Sequence, residues 1–162
     1  SKFEDNFNKD EEEWNRFGKE LSSYVKRFEE NGLTLGYHNH SFEFNKLPSG
    51  KMPIECILDH NENLKFEIDI GWTVAANQDP LFWIKKYSDK IIACHLKDFY
   101  TKDQDFQDHN KQSAIGEGFI DWAKIIPEVK KTNCEIYAIE HDDPDDYKEY
   151  TSKSLNFLTT IE

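Results

Sequence analysis

Four short apolar runs recur along the chain, and a segment with helical signals follows each one. The runs are Thr34 to His40, Phe66 to Asp69, Ile91 to His95 and Ile136 to Glu140. Ahead of them, Trp14, Phe17, Leu21, Tyr24, Val25 and Phe28 recur every three or four residues, which predicts a long amphipathic helix. Asp10 is placed to cap it, Glu11 to Glu13 suit its positive end, and Gly32 reads as its stop. Residues 1–9 are polar and read as irregular. Strands are expected at about 33–40, 64–70, 91–96 and 135–140. A short helix is expected near 52–60, with Pro53 in its first turn, and a second over 81–87 after the Asp79-Pro80 start signal. A third runs from Asp121 to about Lys131, where Pro127 can bend or shorten it, and a last one covers about 145–159. Residues 99–118 form a longer polar loop, the type of segment that often serves as a lid.

Strands alternating with helices imply a parallel sheet with helices outside it, so the fold class is α/β. Two closures compete: an open doubly wound sheet, or part of a (β/α)8 barrel. A parallel arrangement brings every strand's C-terminal end to one rim, where barrel enzymes keep their sites. A full barrel takes about 250 residues. The 162 residues here form a single domain supplying four parallel (β/α) units, half a TIM-type barrel.

Side chains alternate along each strand. One face carries Gly36, His38 and His40, then Glu67 and Asp69, then Ala93, His95 and Lys97, then Ile136, Ala138 and Glu140. The other carries Leu35 and Tyr37, then Phe66, Ile68 and Ile70, then Ile92, Cys94 and Leu96, then Tyr137 and Ile139. The second face can pack under helices. The first is small or polar, as in a barrel lumen with a site at its mouth. Donors at four equivalent strand ends can meet around one ion although about 100 residues separate the first from the last. Oxygen-rich ligation with one or two imidazoles suits Mn²⁺, Mg²⁺ or Co²⁺, and also admits Zn²⁺.

Composition narrows the partners. Acidic residues outnumber basic ones, 32 to 20, for a net charge of −12, which repels a nucleic-acid backbone. That balance fits a small, mostly uncharged substrate held by a cation. Cys56, Cys94 and Cys134 are odd in number and widely spaced, so reduced thiols are expected rather than a disulfide framework. No apolar stretch approaches the roughly 18–20 residues of a membrane span, and no signal-peptide core is visible. A cytoplasmic address without membrane contact is expected, with an upstream signal left open because the sequence starts at Ser1.

Tyr37-His-Asn-His40 with Phe42-Glu43-Phe44, Asp69-Ile-Gly-Trp72, Cys94-His-Leu-Lys-Asp98, Gly116 to Trp122 and Ile139-Glu-His-Asp142 resemble the sugar phosphate isomerase/epimerase family. That family has the xylose-isomerase-like TIM barrel, and the resemblance covers only its C-terminal half, strands five to eight. It implies a divalent metal at four strand ends. Asp69, His95 and Glu140 match three ligands, and either Glu43 or His38 supplies the first, with Glu43 favoured. It further implies isomerase or epimerase chemistry on a sugar or sugar phosphate, through proton transfer next to a carbonyl and an enediolate. Glu43, Glu140 and His38 are then the acid/base candidates, His40 their substitute, and Lys97 an oxyanion or phosphate contact. His40, Trp72 and Glu117 are candidate substrate contacts. A metal-dependent lyase, dehydratase or hydrolase and a non-catalytic half-barrel are the alternatives. Four strands leave two sheet edges open, so pairing into a homodimer is one expectation.

Overall fold

The computed structural model describes residues 10–103 and 105–161; the expected irregular segment 1–9 lies outside them. In chain order the elements are α1 (Glu11–Glu29), β1 (Gly36–His38), a 3₁₀ turn (Phe42–Phe44), α2 (Pro53–Leu58), β2 (Lys65–Asp69), α3 (Ile70–Ala75) and α4 (Pro80–Lys86). They continue with β3 (Ile91–Leu96), β4 (Asp98–Phe99), a 3₁₀ turn (His109–Lys111), β5 (Gln112–Ser113), α5 (Trp122–Val129), β6 (Ile136–Ile139) and α6 (Tyr147–Thr160). The main sheet has the order β1-β2-β3-β6, all parallel, as four strands of a TIM-barrel-like α/β fold require.

Local chemistry sets the boundaries. The α1 start is a capping box: Asp10 Oδ1 accepts from Glu13 N at 2.9 Å, and Glu13 Oε2 accepts from Asp10 N at 3.1 Å. After α1 the chain turns at Gly32, whose φ of 69° is in the left-handed region. β1 is shorter than the expected 33–40. Glu43 Oε2 accepts from His40 N at 2.8 Å, which folds the chain back into the 3₁₀ turn instead of extending the strand. β2 likewise ends at Asp69. Its side chain accepts from Trp72 N at 2.7 Å and caps α3, a helix the apolar pattern did not reveal. α5 continues past Pro127 to Val129.

The two faces separate as the alternation predicts along β2 and in the second half of β3; at the start of β3, where the pairing with β2 shifts register, Ile91 is buried and Ile92 only half-buried, and in β6 Tyr137 is 37% exposed. Phe66, Ile68, Cys94 and Leu96 are buried on the helix side, packed with Leu58, Trp83, Ile84 and Val129. On the opposite face the sheet is open, and Ile136 is 60% exposed. β1 and β6 have no strand beyond them among the described residues. No described helix is long and apolar enough to cross a membrane.

The long loop is more ordered than its composition suggests. β4 and β5 pair antiparallel within it, and the buried Asp98 ties its end down. The Asp98 carboxylate accepts from Phe99 N at 2.9 Å, Gly116 N at 3.1 Å, Ile120 N at 3.3 Å and Trp122 Nε1 at 2.8 Å. Leaving a buried donor unpaired costs about 1–3 kcal/mol. Asp98→Ala is therefore expected to destabilise the chain by more than about 3 kcal/mol, and Asp98→Asn by less. Urea unfolding midpoints of the two variants against wild type test this; an unchanged midpoint for Asp98→Ala would contradict it.

Candidate metal centre

In-phase pairing of the parallel strands builds the site. The register sets His38 beside Glu67, Asp69 beside His95, and His95 beside Ala138. Glu140 follows β6, with its N–H donating to Leu96 O at 3.0 Å and its carbonyl accepting from Tyr150 Oη at 2.7 Å. His95 is the hub. Its Nδ1 lies 2.6 Å from Glu140 Oε2 and its Nε2 lies 2.7 Å from Glu67 Oε1. One ligand atom from each of Asp69, His95 and Glu140 lies within 4.8 Å of the other two, and the same holds for His38, Glu67 and His95.

Asp69 is gripped through its backbone. The buried Asn39 amide accepts from Asp69 N at 2.9 Å and donates to Asp69 O at 3.3 Å, while Thr73 Oγ1 donates to the same carbonyl at 2.6 Å. With Oδ1 used by Trp72 N, Asp69 Oδ2 remains buried without a hydrogen-bond partner among the described residues, as does His38 Nδ1. Buried polar atoms are normally satisfied, so two such orphans beside clustered donors fit a cation position. The donor set of imidazole and carboxylates suits a divalent ion.

Lys97 is 1% exposed. Its ammonium donates to Asp142 Oδ2 at 2.9 Å, lies 3.6 Å from Glu140 Oε1 and sits over the Trp72 ring, 4.7 Å from its centroid. Gly71 permits this approach, because a Cβ there would come within 2.7 Å of both Lys97 Cβ and Lys97 O. Asp142 is held in turn by Gln112, whose Oε1 accepts from Asp142 N at 2.9 Å. Trp72 meets Phe99 edge-on and lies near His40, ring centroids 6.1 Å apart in both cases.

Charge follows from these contacts. Burial pushes Asp69 up to about 7, against the pull of Lys97 and the Trp72 N–H. The hydrogen bond to His95 holds Glu140 down at about 2 despite burial, with Lys97 adding to the effect. Burial opposes charge on His95, but Glu140 and Glu67 outweigh it and raise His95 to about 9. Burial lowers His38, helped by repulsion from His95 and His40. Contact with Glu43 raises His40, with burial opposing.

Two expected site residues stand apart from the donor cluster. Both Glu43 oxygens are engaged: Oε1 accepts from Tyr37 Oη at 2.7 Å and Oε2 from His40 N. Glu43 is in neither metal-capable group, and the imidazole recorded against it is that of His40, whose Nδ1 is 3.9 Å from Oε1. Glu117 is exposed and paired with Lys153 at 3.3 Å, lining a small cleft with Gln112, His141 and Tyr150. Conversely, Glu67, Asn39 and Asp142 were not among the expected site residues. The alternation already put Glu67 on the His95 side, two positions before Asp69, which was the available signal.

The sequence profile of the xylose isomerase-like TIM barrel family matches residues 3–161. The chain belongs to this family. An inosose dehydratase from Bacillus thuringiensis is 24% identical over 168 residues, covering 91% of this chain and 54% of that protein. Among solved structures, a sugar phosphate isomerase/epimerase from Parabacteroides distasonis superposes with a TM-score of 0.78 at 22% identity, over 93% of this chain and 53% of that one. A probable 3-DHS dehydratase from Bacillus anthracis gives 0.74 at 16% identity, over 94% and 58%. The chain spans about half the length of the curated relatives it matches. The structural likenesses establish the TIM-barrel fold.

The His95–Glu140 pair gives this xylose isomerase-like chain a pH signature. The raised His95 stabilises the fold fully below its ordinary 6.5 and loses that contribution as pH rises through about 9. The depressed Glu140 contributes above its ordinary 4.5 and loses its contribution as pH falls through about 2. In chelator, Glu140→Gln should therefore cost most between pH 4.5 and 6.5, by about 1.5–3 kcal/mol, and least above pH 9. Thermal melts of both proteins across that range test it; a pH-independent difference would contradict the pairing.

Proposed function

We propose that this chain supplies the cation-holding half of a divalent-metal-dependent isomerase or epimerase acting beside the carbonyl of a keto sugar or its phosphate. The observation that carries the reading is the convergence of Asp69, His95 and Glu140, with Asp69 Oδ2 buried and unpartnered. Mn²⁺, Mg²⁺, Co²⁺ or Zn²⁺ would be held by those three residues, with His38 as the nearest further imidazole. Such an ion supplies Lewis-acid polarisation of a carbonyl oxygen.

The chain's own groups then handle the proton. Burial and the neighbouring His95 and His40 disfavour charge on His38, whose ring centroid is 4.4 Å from that of His95, which suits it to taking a proton from carbon. The His95 hydrogen bond, with Lys97 adding to it, favours the ionised form of Glu140. His40 and Glu43 form a second acid/base pair, with the His40 side chain 42% exposed and the carboxylate buried. Trp72 is buried to 6% exposure beside His40, with the fully buried Phe99 packed edge-on against it, so any apolar contact with a sugar ring would come from the Trp72 edge alone.

Dehydration is a second reading, favoured by the inosose dehydratase relative that aligns with 91% of this chain. Loss of a hydroxyl needs an acid, and His40, raised by Glu43, is suited to that role.

Incubating the metal-loaded chain with ketoses and keto-polyols in D₂O separates the two. Deuterium gained beside the carbonyl without loss of water supports isomerisation or epimerisation; an enone product supports dehydration. Neither outcome with any substrate sinks the reading. For the ligands, Asp69→Ala and His95→Ala are each expected to lower bound metal strongly by elemental analysis. Wild-type occupancy in both variants would falsify the assignment.

A further inference from the structure

Two metal-capable groups share His95 and compete for its ring. Asp69 and Glu140 are on one side and His38 and Glu67 on the other. The ring can offer only one nitrogen to an ion while the other keeps a proton. Which nitrogen is offered follows from the partner of the other. Nε2 is 2.7 Å from Glu67 Oε1, and Nδ1 faces Glu140 Oε2 at 2.6 Å. Each group has one buried atom without a hydrogen-bond partner among the described residues, Asp69 Oδ2 in the first and His38 Nδ1 in the second, but the first brings two carboxylates to a divalent cation and the second only one. Asp69 is also the residue with its backbone locked, by Asn39 and Thr73. Glu67 is held less firmly: its side chain is 39% exposed, and its recorded contact is the His95 nitrogen.

We infer that Glu67 is a positioning residue: it accepts the Nε2–H of His95 and thereby commits Nδ1 to the cation shared with Asp69 and Glu140. This inference rests on the proposed metal reading and goes beyond it by assigning the tautomer and the residue that sets it. It also assigns the adjacent His38–Glu67–His95 group a supporting role rather than an ion of its own. A carboxylate accepting the second N–H of a ligating histidine fixes the ring and raises its basicity, and losing such a partner typically weakens metal affinity about 10- to 100-fold.

The test uses the full chain as wild type, Glu67→Gln and Glu67→Ala. The side chain is partly exposed, so neither substitution opens a core cavity. Zn²⁺ affinity is measured by competition with a chromophoric chelator, and the His95 tautomer by long-range ¹H–¹⁵N correlation of the zinc-loaded protein. Wild type should show zinc on Nδ1 and a proton on Nε2. Glu67→Ala should bind about 10- to 100-fold more weakly. Glu67→Gln, whose amide oxygen still accepts the N–H, should recover most of the affinity and keep the Nδ1 signature. Zinc on Nε2 in wild type, or unchanged affinity and tautomer in Glu67→Ala, overturns the inference while leaving the metal reading intact. A wild type that takes up no zinc, manganese or cobalt overturns both.

Discussion

Parallel pairing in phase is the constraint on which everything else depends. Because β2, β3 and β6 run in the same direction with Asp69 opposite His95 and His95 opposite Ala138, three residues far apart in sequence share one rim. A slip of one residue in any strand would turn its donor from the open face to the helix side. The register is held by burial on that helix side, where Phe66, Ile68, Cys94 and Leu96 leave no room for a polar group. The chemistry on one face is thus secured by packing on the other, and Asn39 adds a direct link by bonding both the N–H and the carbonyl of Asp69.

Gathering acids has an electrostatic cost, and the site shows how it is met. Glu67, Asp69, Glu140 and Asp142 lie around Lys97 and His95, so carboxylates exceed the available positive groups. Burial raises Asp69, while Glu140 stays low because His95 and Lys97 both face it. The proton on His95 acts as the positive charge at the centre. A divalent ion replacing that proton would add one net positive charge where the surplus of acids is greatest, and it would give Asp69 Oδ2 the partner it lacks. The cluster is balanced by a cation more readily than by further hydrogen bonds.

Much of this was legible in the residues. The alternation in Phe66 to Ile70 and Ile91 to Leu96 separated core from lumen, because strand periodicity reports burial directly. The Asp10 and Asp79 caps were readable because capping is local chemistry. What escaped reading was a residue with two local roles, a contact between distant segments and a carboxylate already engaged by its neighbours. α3 was hidden because Asp69 ends a strand and caps a helix at once. The pairing of Lys97 with Asp142 spans 45 residues, and a lysine two positions past a strand histidine looks the same in sequence whether solvated or buried. Glu43 matched the motif, but only coordinates reveal that Tyr37 and the His40 backbone occupy its two oxygens.

The fate of a proton removed beside a carbonyl would be decided outside the cation ligands. His38 and His40 lie on one strand end with ring centroids 5.2 Å apart and interplanar angle 84°. Their environments push them in opposite directions: burial and a neighbouring imidazole disfavour charge on His38, while Glu43 favours it on His40. On the proposed reading, groups biased in opposite directions at such separation would serve as base and acid at two carbons of one substrate. Isomerisation needs the removed proton delivered to the former carbonyl carbon while the hydroxyl proton passes to the former carbonyl oxygen, and epimerisation needs a proton delivered to the opposite face of the same carbon. Expelling a hydroxyl requires the second group to donate at the neighbouring carbon, and Glu43 is placed to keep His40 supplied for that step. On the proposed reading, isomerisation and dehydration would differ in whether the substrate presents a hydroxyl to His40, a question of how it is oriented rather than of which ion is held.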